Sequence, residues 1–237
     1  MNREYHKWNS RELYRDMEML VYGHSGFPVL VFPTSKGRFF EFEDQGMIHA
    51  LAGKIDAGNI RVFCVDSVDT ESWYNYGTHP KWRAVRHIQY DNYISNEVVP
   101  FIRWRTGGDA LTATGASFGA YHALNFTLRH PDLITYCVAM SGSYDIHQFI
   151  QGYYDDNCYF NCPVDFMPNM NDEWVLQRLR TETRLVLSAG DWDICLGETR
   201  RMSGILHGKG IPHQCDVWGG NWKHDWPLWQ RMAAVYF

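Results

Sequence analysis

The sequence lacks any uninterrupted apolar run that approaches the roughly 20 residues a membrane-spanning helix needs. Residues 1–7 are polar and charged, and no apolar stretch typical of a secretory signal follows them. Basic residues are also in deficit, since 22 Lys and Arg stand against 27 Asp and Glu, a formal net charge of −5. Such a surface offers no basic field to nucleic acid or to an anionic membrane. We therefore expect a soluble, cytoplasmic protein with neither as a partner.

The six cysteines do not form a metal-binding pattern. Cys158 and Cys162 lie close together, but no second pair of ligands follows at the spacing of a zinc site. Without a secretory signal, the cysteines are expected to be buried free thiols rather than disulfides. We expect no metal and no organic cofactor.

The apolar residues, 45% of a 237-residue chain, predict one domain of alternating strands and helices. Several predicted strands are continuously apolar, as in a mainly parallel sheet with helices on both faces. The predicted strands, apolar or mixed, cover residues 12–22, 28–32, 60–65, 110–115, 136–140, 184–189 and 214–218. The turn at 23–26 predicts that the first two form a hairpin. Residues 145–180 interrupt the alternation and are predicted to form a small cap rather than a second domain.

One short motif, Gly115-Ala116-Ser117-Phe118-Gly119, lies between a predicted strand and a helix. This is the G-x-S-x-G pattern of a nucleophile elbow, where a sharp turn exposes a serine hydroxyl above the carboxyl edge of a sheet. Ser117 is therefore the predicted nucleophile. The residue after the nucleophile usually gives one oxyanion-hole N–H, here that of Phe118.

A serine nucleophile needs a histidine base and a carboxylate, which follow it in the order Ser, Asp or Glu, His in this architecture. Of the four later histidines, His224 alone lies between the last strand and the last helix; the others are His147, His207 and His213. Asp193, after strand 184–189, is the preferred acid. Asp191 in the same loop and Asp145 after strand 136–140 remain alternatives.

The second oxyanion donor is expected in the loop after strand 28–32. Ser35 is the preferred residue there, and Thr34 or Lys36 are alternatives. Ten tryptophans are present, and several aromatic residues lie in polar, loop-like stretches. They are expected either to line a substrate pocket or to pack the cap; the candidates for lining are Trp73, Tyr74, Tyr159 and Trp192.

These motifs together resemble the esterase D–like branch of the α/β-hydrolases, the putative esterases. The resemblance rests on the motif at 115–119, the strand ending in Ser141-Gly142, Gly190-x-x-Asp193, and the closing His224-Asp225-Trp226-x-x-Trp229. It implies an α/β-hydrolase fold and a serine hydrolase that cleaves carboxylic esters through a Ser-His-Asp triad and an acyl-enzyme. The family's G-x-x-D pattern favours Asp193. The usual His-Gly of the oxyanion loop is replaced by Pro33-Thr34.

Two other functions share these residues. An acyltransferase would pass the acyl group to an alcohol or thiol, and a catalytically silent interaction protein would keep the fold alone. The expected partner of an esterase is a small-molecule ester, and the sequence leaves a homo-oligomer open.

Overall fold

The computed structural model describes residues 1–237, and its centre is an eight-stranded sheet. The strands are β1 (Arg3–Ser10), β2 (Arg15–Tyr22), β3 (Phe27–Phe32), β4 (Ile60–Val65), β5 (Thr112–Ala116), β6 (Tyr136–Met140), β7 (Arg184–Gly190) and β8 (Gln214–Trp218). Their order across the sheet is β1-β2-β4-β3-β5-β6-β7-β8. Only β2 runs opposite to the others, so the predicted mainly parallel sheet is confirmed.

Helices cover both faces of this sheet, as predicted. They are α1 (Glu41–Asp44), α2 (Met47–Ala50), α3 (Ala52–Asp56), α4 (Pro80–Tyr93), α5 (Val99–Thr106), α6 (Phe118–Arg129), α7 (His147–Ile150), α8 (Asp156–Tyr159), α9 (Pro163–Asn169), α10 (Glu173–Thr181), α11 (Leu196–Gly208) and α12 (Trp226–Tyr236). Strand residues alternate between two cores: Leu30 belongs to a cluster of 45 buried residues, and its neighbour Val31 to a cluster of 20. No helix is both long enough and apolar enough to span a membrane.

The predicted hairpin between the first two apolar strands is wrong. β4 lies between β2 and β3, pairing Cys64 with Leu20 on one side and with Val31 on the other. The connection from β3 to β4 passes through α1–α3 and places the two strands side by side in parallel. The residues of the turn at 23–26 do not predict this pairing. β2 instead forms a hairpin with β1, an edge strand that the sequence did not predict because its residues are largely exposed and polar.

The apolar spacing of residues 83–104 predicts a helix that Pro100 kinks or divides, and the structure shows an interruption just before Pro100. A π-helical turn, Ile94–Val98, separates α4 from α5, and α5 ends at Gly107 with φ of 71°. Proline lacks the N–H that would continue the α-helical ladder, and a π turn is one way a helix accommodates such a gap.

Residues 145–180, predicted to form a small cap, fold into α7 to α10. Their buried side chains, including Cys158, Phe166 and Leu179, belong to the same cluster as the larger core of the sheet. Asn161 accepts a hydrogen bond from Asn125 of α6 at 3.0 Å and one from Arg129 at 2.8 Å. The segment is therefore attached along the second half of α6.

The start of α6 lies against the end of β3, and glycine makes this approach possible. A Cβ on Gly119 would lie 2.4 Å from the carbonyl oxygen of Phe32 and 2.6 Å from that of Pro33. A Cβ on Gly115 would lie 2.3 Å from the carbonyl carbon of Gly119. The loop after β3 and the turn at Ser117 therefore meet at one edge of the sheet.

Replacing Gly119 with alanine is expected to lower the free energy of unfolding by about 3 kcal/mol or more, since backbone atoms must move to admit the methyl group. Gly204→Ala in α11 is the matched control, because a Cβ there meets nothing within 4 Å. That change is expected to stabilise the protein by up to about 1 kcal/mol through helix propensity. Urea unfolding of both variants measures the contrast, and equal stabilities would contradict the close approach.

Candidate active site

Ser117 forms the sharp turn between β5 and α6. Its backbone has φ of 56° and ψ of −122°, an unusual conformation for a residue with a side chain. Its N–H donates to the carbonyl of Met140 at 2.9 Å, which anchors the turn to β6. The side chain is partly exposed, although β5 before it and α6 after it are buried. The hydroxyl is therefore accessible at the carboxyl edge of the sheet.

His224 lies in the loop between β8 and α12, with its ring between Ser117 and Asp193. Its Nε2 is 2.8 Å from Ser117 Oγ, and its Nδ1 is 2.8 Å from Asp193 Oδ1. The ring packs edge-on against Trp229, with centroids 4.9 Å apart. A proton on Nδ1 directed to the carboxylate leaves Nε2 free to accept the serine proton.

Asp193 is buried in the loop between β7 and α11. Besides His224, its carboxylate accepts from Cys195 N–H at 2.8 Å and from Ser141 Oγ at 2.5 Å. Ser141 Oγ in turn accepts from Trp229 Nε1 at 2.9 Å. Burial disfavours the charged carboxylate and would raise its pKa. The hydrogen bonds from His224, Ser141 and Cys195 outweigh burial and lower the pKa of Asp193 below its usual 3.8. The acid is therefore held ionised and oriented toward His224.

The two alternative acids contact other groups. Asp191 accepts the backbone N–H groups of residues 220–222 at 2.9–3.2 Å, and so holds the loop that carries His224. Asp145 pairs with His147 and with Arg201. Neither carboxylate bonds to His224, so the geometry favours Asp193.

Ser35 and Phe118, the predicted oxyanion residues, are joined by Tyr74. The Tyr74 hydroxyl donates to Ser35 Oγ at 2.7 Å. Its ring packs against that of Phe118, with centroids 5.3 Å apart. Tyr74, one of the predicted substrate-lining residues, thus lies beside both.

The other predicted lining residues are found in three different settings. Trp192 directly precedes Asp193 and is 60% exposed. Tyr159 packs against Phe160 in the segment over the second half of α6. Trp73 is fully buried against His87 and belongs to the core, so the expectation that it lines a pocket is corrected. Its loop turns inward, which polar flanking residues did not indicate.

Two groups of potential metal ligands have donor atoms within 4.8 Å of one another: Asp145, His147 and Cys162, and separately Asp193, Cys195 and His224. In the first group a cation, the Arg201 guanidinium, already lies 2.9 Å from the Asp145 carboxylate. In the second, both ring nitrogens of His224 have partners in Ser117 and Asp193. Asp145 and His224 therefore already have partners within the protein.

Sequence reasoning missed Ser141 and the indole of Trp229 as supports of the acid. Both lie in stretches that carried the family resemblance, yet no role was given to either. Ser141 directly follows β6, at the same sheet edge as Ser117, and that position was the available signal. The hydrogen bond from Trp229 could not be read from sequence, because it joins residues 88 positions apart.

Comparison with known proteins identifies a family for the chain and similar folds. A family model described as Putative esterase matches residues 10–233. No curated protein sequence matches the chain. The fold is similar to that of a ferulic acid esterase, at a TM-score of 0.78 and 17% identity over 99% of this chain and 96% of that one.

Two S-formylglutathione hydrolases share the fold as well. That of Agrobacterium tumefaciens gives a TM-score of 0.74 and 15% identity, over 99% of this chain and 92% of the other. That of Staphylococcus aureus gives 0.68 and 10% identity, over 99% and 94%. Because the family model extends from before β2 into α12, the chain belongs to the Putative esterase family and is a carboxylic ester hydrolase of the α/β-hydrolase fold.

Proposed function

We propose that the chain hydrolyses small-molecule carboxylic esters with Ser117 as nucleophile, His224 as general base and Asp193 as the acid that orients the base. One observation carries the proposal: the His224 ring lies 2.8 Å from both the Ser117 hydroxyl and the Asp193 carboxylate. A serine hydroxyl is a weak nucleophile until such a base removes its proton. The order of the three residues along the chain is the one expected for this fold.

The reaction has two halves. Ser117 Oγ bonds to the ester carbonyl carbon while its proton passes to His224 Nε2. The C–O bond to the alcohol then breaks, and the alcohol leaves with that proton, giving an acyl-enzyme. Water next attacks the acyl carbon, and His224 Nε2 takes a proton from that water. The carboxylic acid leaves, and the proton returns to Ser117.

The turn at Ser117 serves as the nucleophile elbow in this proposal. The Phe118 N–H, at the start of α6, is one donor to the oxyanion that forms in each half-reaction. Partial positive charge at a helix N-terminus adds to this donor. Tyr74 packs against Phe118, and the exposed Trp192 directly precedes Asp193. We assign these two aromatic residues to contact with the substrate.

A fluorophosphonate probe is expected to label the wild-type protein and not Ser117→Ala, because the probe bonds to an activated serine hydroxyl. The chain offers a matched control in Ser203, whose hydroxyl lies 2.7 Å from His213 Nε2. His213 Nδ1 has only the carbonyl of Ile211 as partner, so this pair lacks a carboxylate. Ser203→Ala should be labelled like the wild type. Labelling that persists in Ser117→Ala would refute the assignment of the nucleophile.

A further inference from the structure

The oxyanion loop, residues 33–37, has one backbone N–H without a partner. Pro33 has no N–H. The N–H of Thr34 donates to Glu41 Oε2 at 2.8 Å, and that of Lys36 to Asp69 Oδ2 at 3.0 Å. The N–H of Gly37 donates to the Thr34 carbonyl at 2.9 Å. Only the N–H of Ser35 remains unengaged.

The two carboxylates that engage the neighbours of Ser35 come from different elements, and we call Glu41 and Asp69 the carboxylate pair. Glu41, in α1, also accepts from Thr34 Oγ1 at 2.7 Å, so it holds Thr34 through two bonds. Asp69 follows β4 and is 1% exposed. Each carboxylate therefore holds one side of Ser35.

Asp69 also ties the oxyanion loop to the helix of the nucleophile. Its Oδ1 lies 2.9 Å from Nε2 of His122, and both side chains are almost fully buried. His122 lies in α6, and its ring packs edge-on against Phe118 at a centroid distance of 4.9 Å. A continuous set of contacts thus joins Lys36 N–H, Asp69, His122 and Phe118.

We propose that the carboxylate pair, Glu41 and Asp69, consists of positioning residues that leave the Ser35 N–H as the second oxyanion donor. This inference rests on the proposed function, because an oxyanion forms only if Ser117 attacks an ester. By occupying the N–H groups on either side, the pair holds the loop in one conformation. It also prevents those neighbouring donors from competing for the substrate carbonyl in a less reactive position.

A pair that only stabilised the fold would affect different measurements. Oxyanion donors act more strongly on the tetrahedral transition state than on the bound ester, so their loss lowers kcat more than it raises KM. A boronic acid that bonds to Ser117 mimics the tetrahedral state and reports the same donors. The carboxylic acid product does not mimic the tetrahedral state, so its affinity does not report the oxyanion donors.

The test measures kcat, KM and affinity for phenylboronic acid in Glu41→Ala and Asp69→Ala, with aryl acetate as substrate. Each variant is expected to lose about 10²-fold in kcat, up to the cost of one oxyanion donor. Affinity for phenylboronic acid should fall in parallel, while KM stays within about 2-fold, as expected for an interaction made mainly in the transition state. Glu41→Gln keeps an oxygen for Thr34 N–H and should recover most of the lost kcat.

Glu97→Ala is the control for lost hydrogen bonds in general. Glu97 accepts from Trp8 Nε1 and Ser10 Oγ, each at 2.8 Å, and from Glu12 N–H at 3.0 Å, in the hairpin of β1 and β2. Its loss should lower Tm without changing kcat. Variants of the carboxylate pair that behave like Glu97→Ala, with lower Tm but unchanged kcat and boronate affinity, would overturn the proposal.

Ser35→Ala is the matched control for Ser35→Pro, because it removes only the hydroxyl that accepts from Tyr74. Ser35→Pro tests the donor itself if a variant of the carboxylate pair fails to fold, since it removes the N–H as well, at an exposed loop position. It should show the same loss of kcat and boronate affinity, and wild-type values in a folded Ser35→Pro would also overturn the proposal. Failure of the proposed function looks different, because turnover would then survive Ser117→Ala. Turnover that is lost in Ser117→Ala but unchanged in Glu41→Ala and Asp69→Ala would refute this inference and leave the proposed function standing.

Discussion

Replacing His224 by alanine is expected to lower kcat for ester hydrolysis by about 10⁶-fold, the loss seen when a base of this kind is removed from a serine hydrolase. The physical reason is that no other titratable group bonds to Ser117 Oγ, whose contact with His224 Nε2 is 2.8 Å. Without the ring the hydroxyl keeps its proton and remains a poor nucleophile. Steady-state kinetics on a short-chain aryl ester measure the effect.

His213→Ala is the control for this change, because His213 is likewise partly buried and bonded to a serine. It lies just before β8, at the opposite edge of the sheet, and its loss should leave kcat unchanged. A His224→Ala variant that folds and retains more than about 1% of wild-type kcat would contradict the role of general base, whose removal costs far more.

Asp193→Asn is expected to lower kcat by about 10⁴-fold with little change in structure. The amide can direct an N–H at His224 Nδ1, which moves the ring proton to Nε2, where it faces Ser117 as a donor instead of an acceptor. The imidazolium that forms during attack also loses its counter-charge.

A comparison with Asp145, one of the two alternative acids, makes this prediction specific. Asp145→Asn disturbs a carboxylate paired with His147 and Arg201, and it should leave kcat near the wild-type value. A larger loss in Asp145→Asn than in Asp193→Asn would show that the acid has been misassigned. Circular dichroism on each variant establishes that the fold is retained.

Much of the fold follows from local pattern. Continuously apolar strands separated by helices predict a parallel sheet, and the structure has one. In such folds ligands bind beyond the carboxyl ends of the parallel strands, so the loops at that edge are the candidates for the site. For this reason Ser117, Asp193 and His224 could be proposed together although they are far apart in sequence. Their hydrogen bonds agree with that proposal, and their catalytic roles remain predictions for the variants above.

What the sequence did not predict depends on contacts between distant segments. The formation of β1 and the placement of β2 between β1 and β4 depend on pairing across the sheet, which turn residues do not encode. The burial of Trp73 depends on how its loop packs against His87 and Phe149. Glu41 and Asp69 belong to no sequence motif, because each accepts from a backbone N–H, a group that every residue except proline carries.

The hydrogen bonds just beyond the strand ends have a consequence for folding kinetics. Ser117 N–H bonds to the Met140 carbonyl, and Ser141 N–H bonds to the Ser188 carbonyl at 2.7 Å, so each continues the pairing of β5 with β6 and of β6 with β7. His224 follows β8, which pairs with β7, so the reacting groups come together only after four strands, contributed by residues 112–218, have assembled. Pairings of such sequence separation form late because loop closure must precede them. During refolding, hydrolytic activity should thus return with the last and slowest phase, well after helical circular dichroism has recovered.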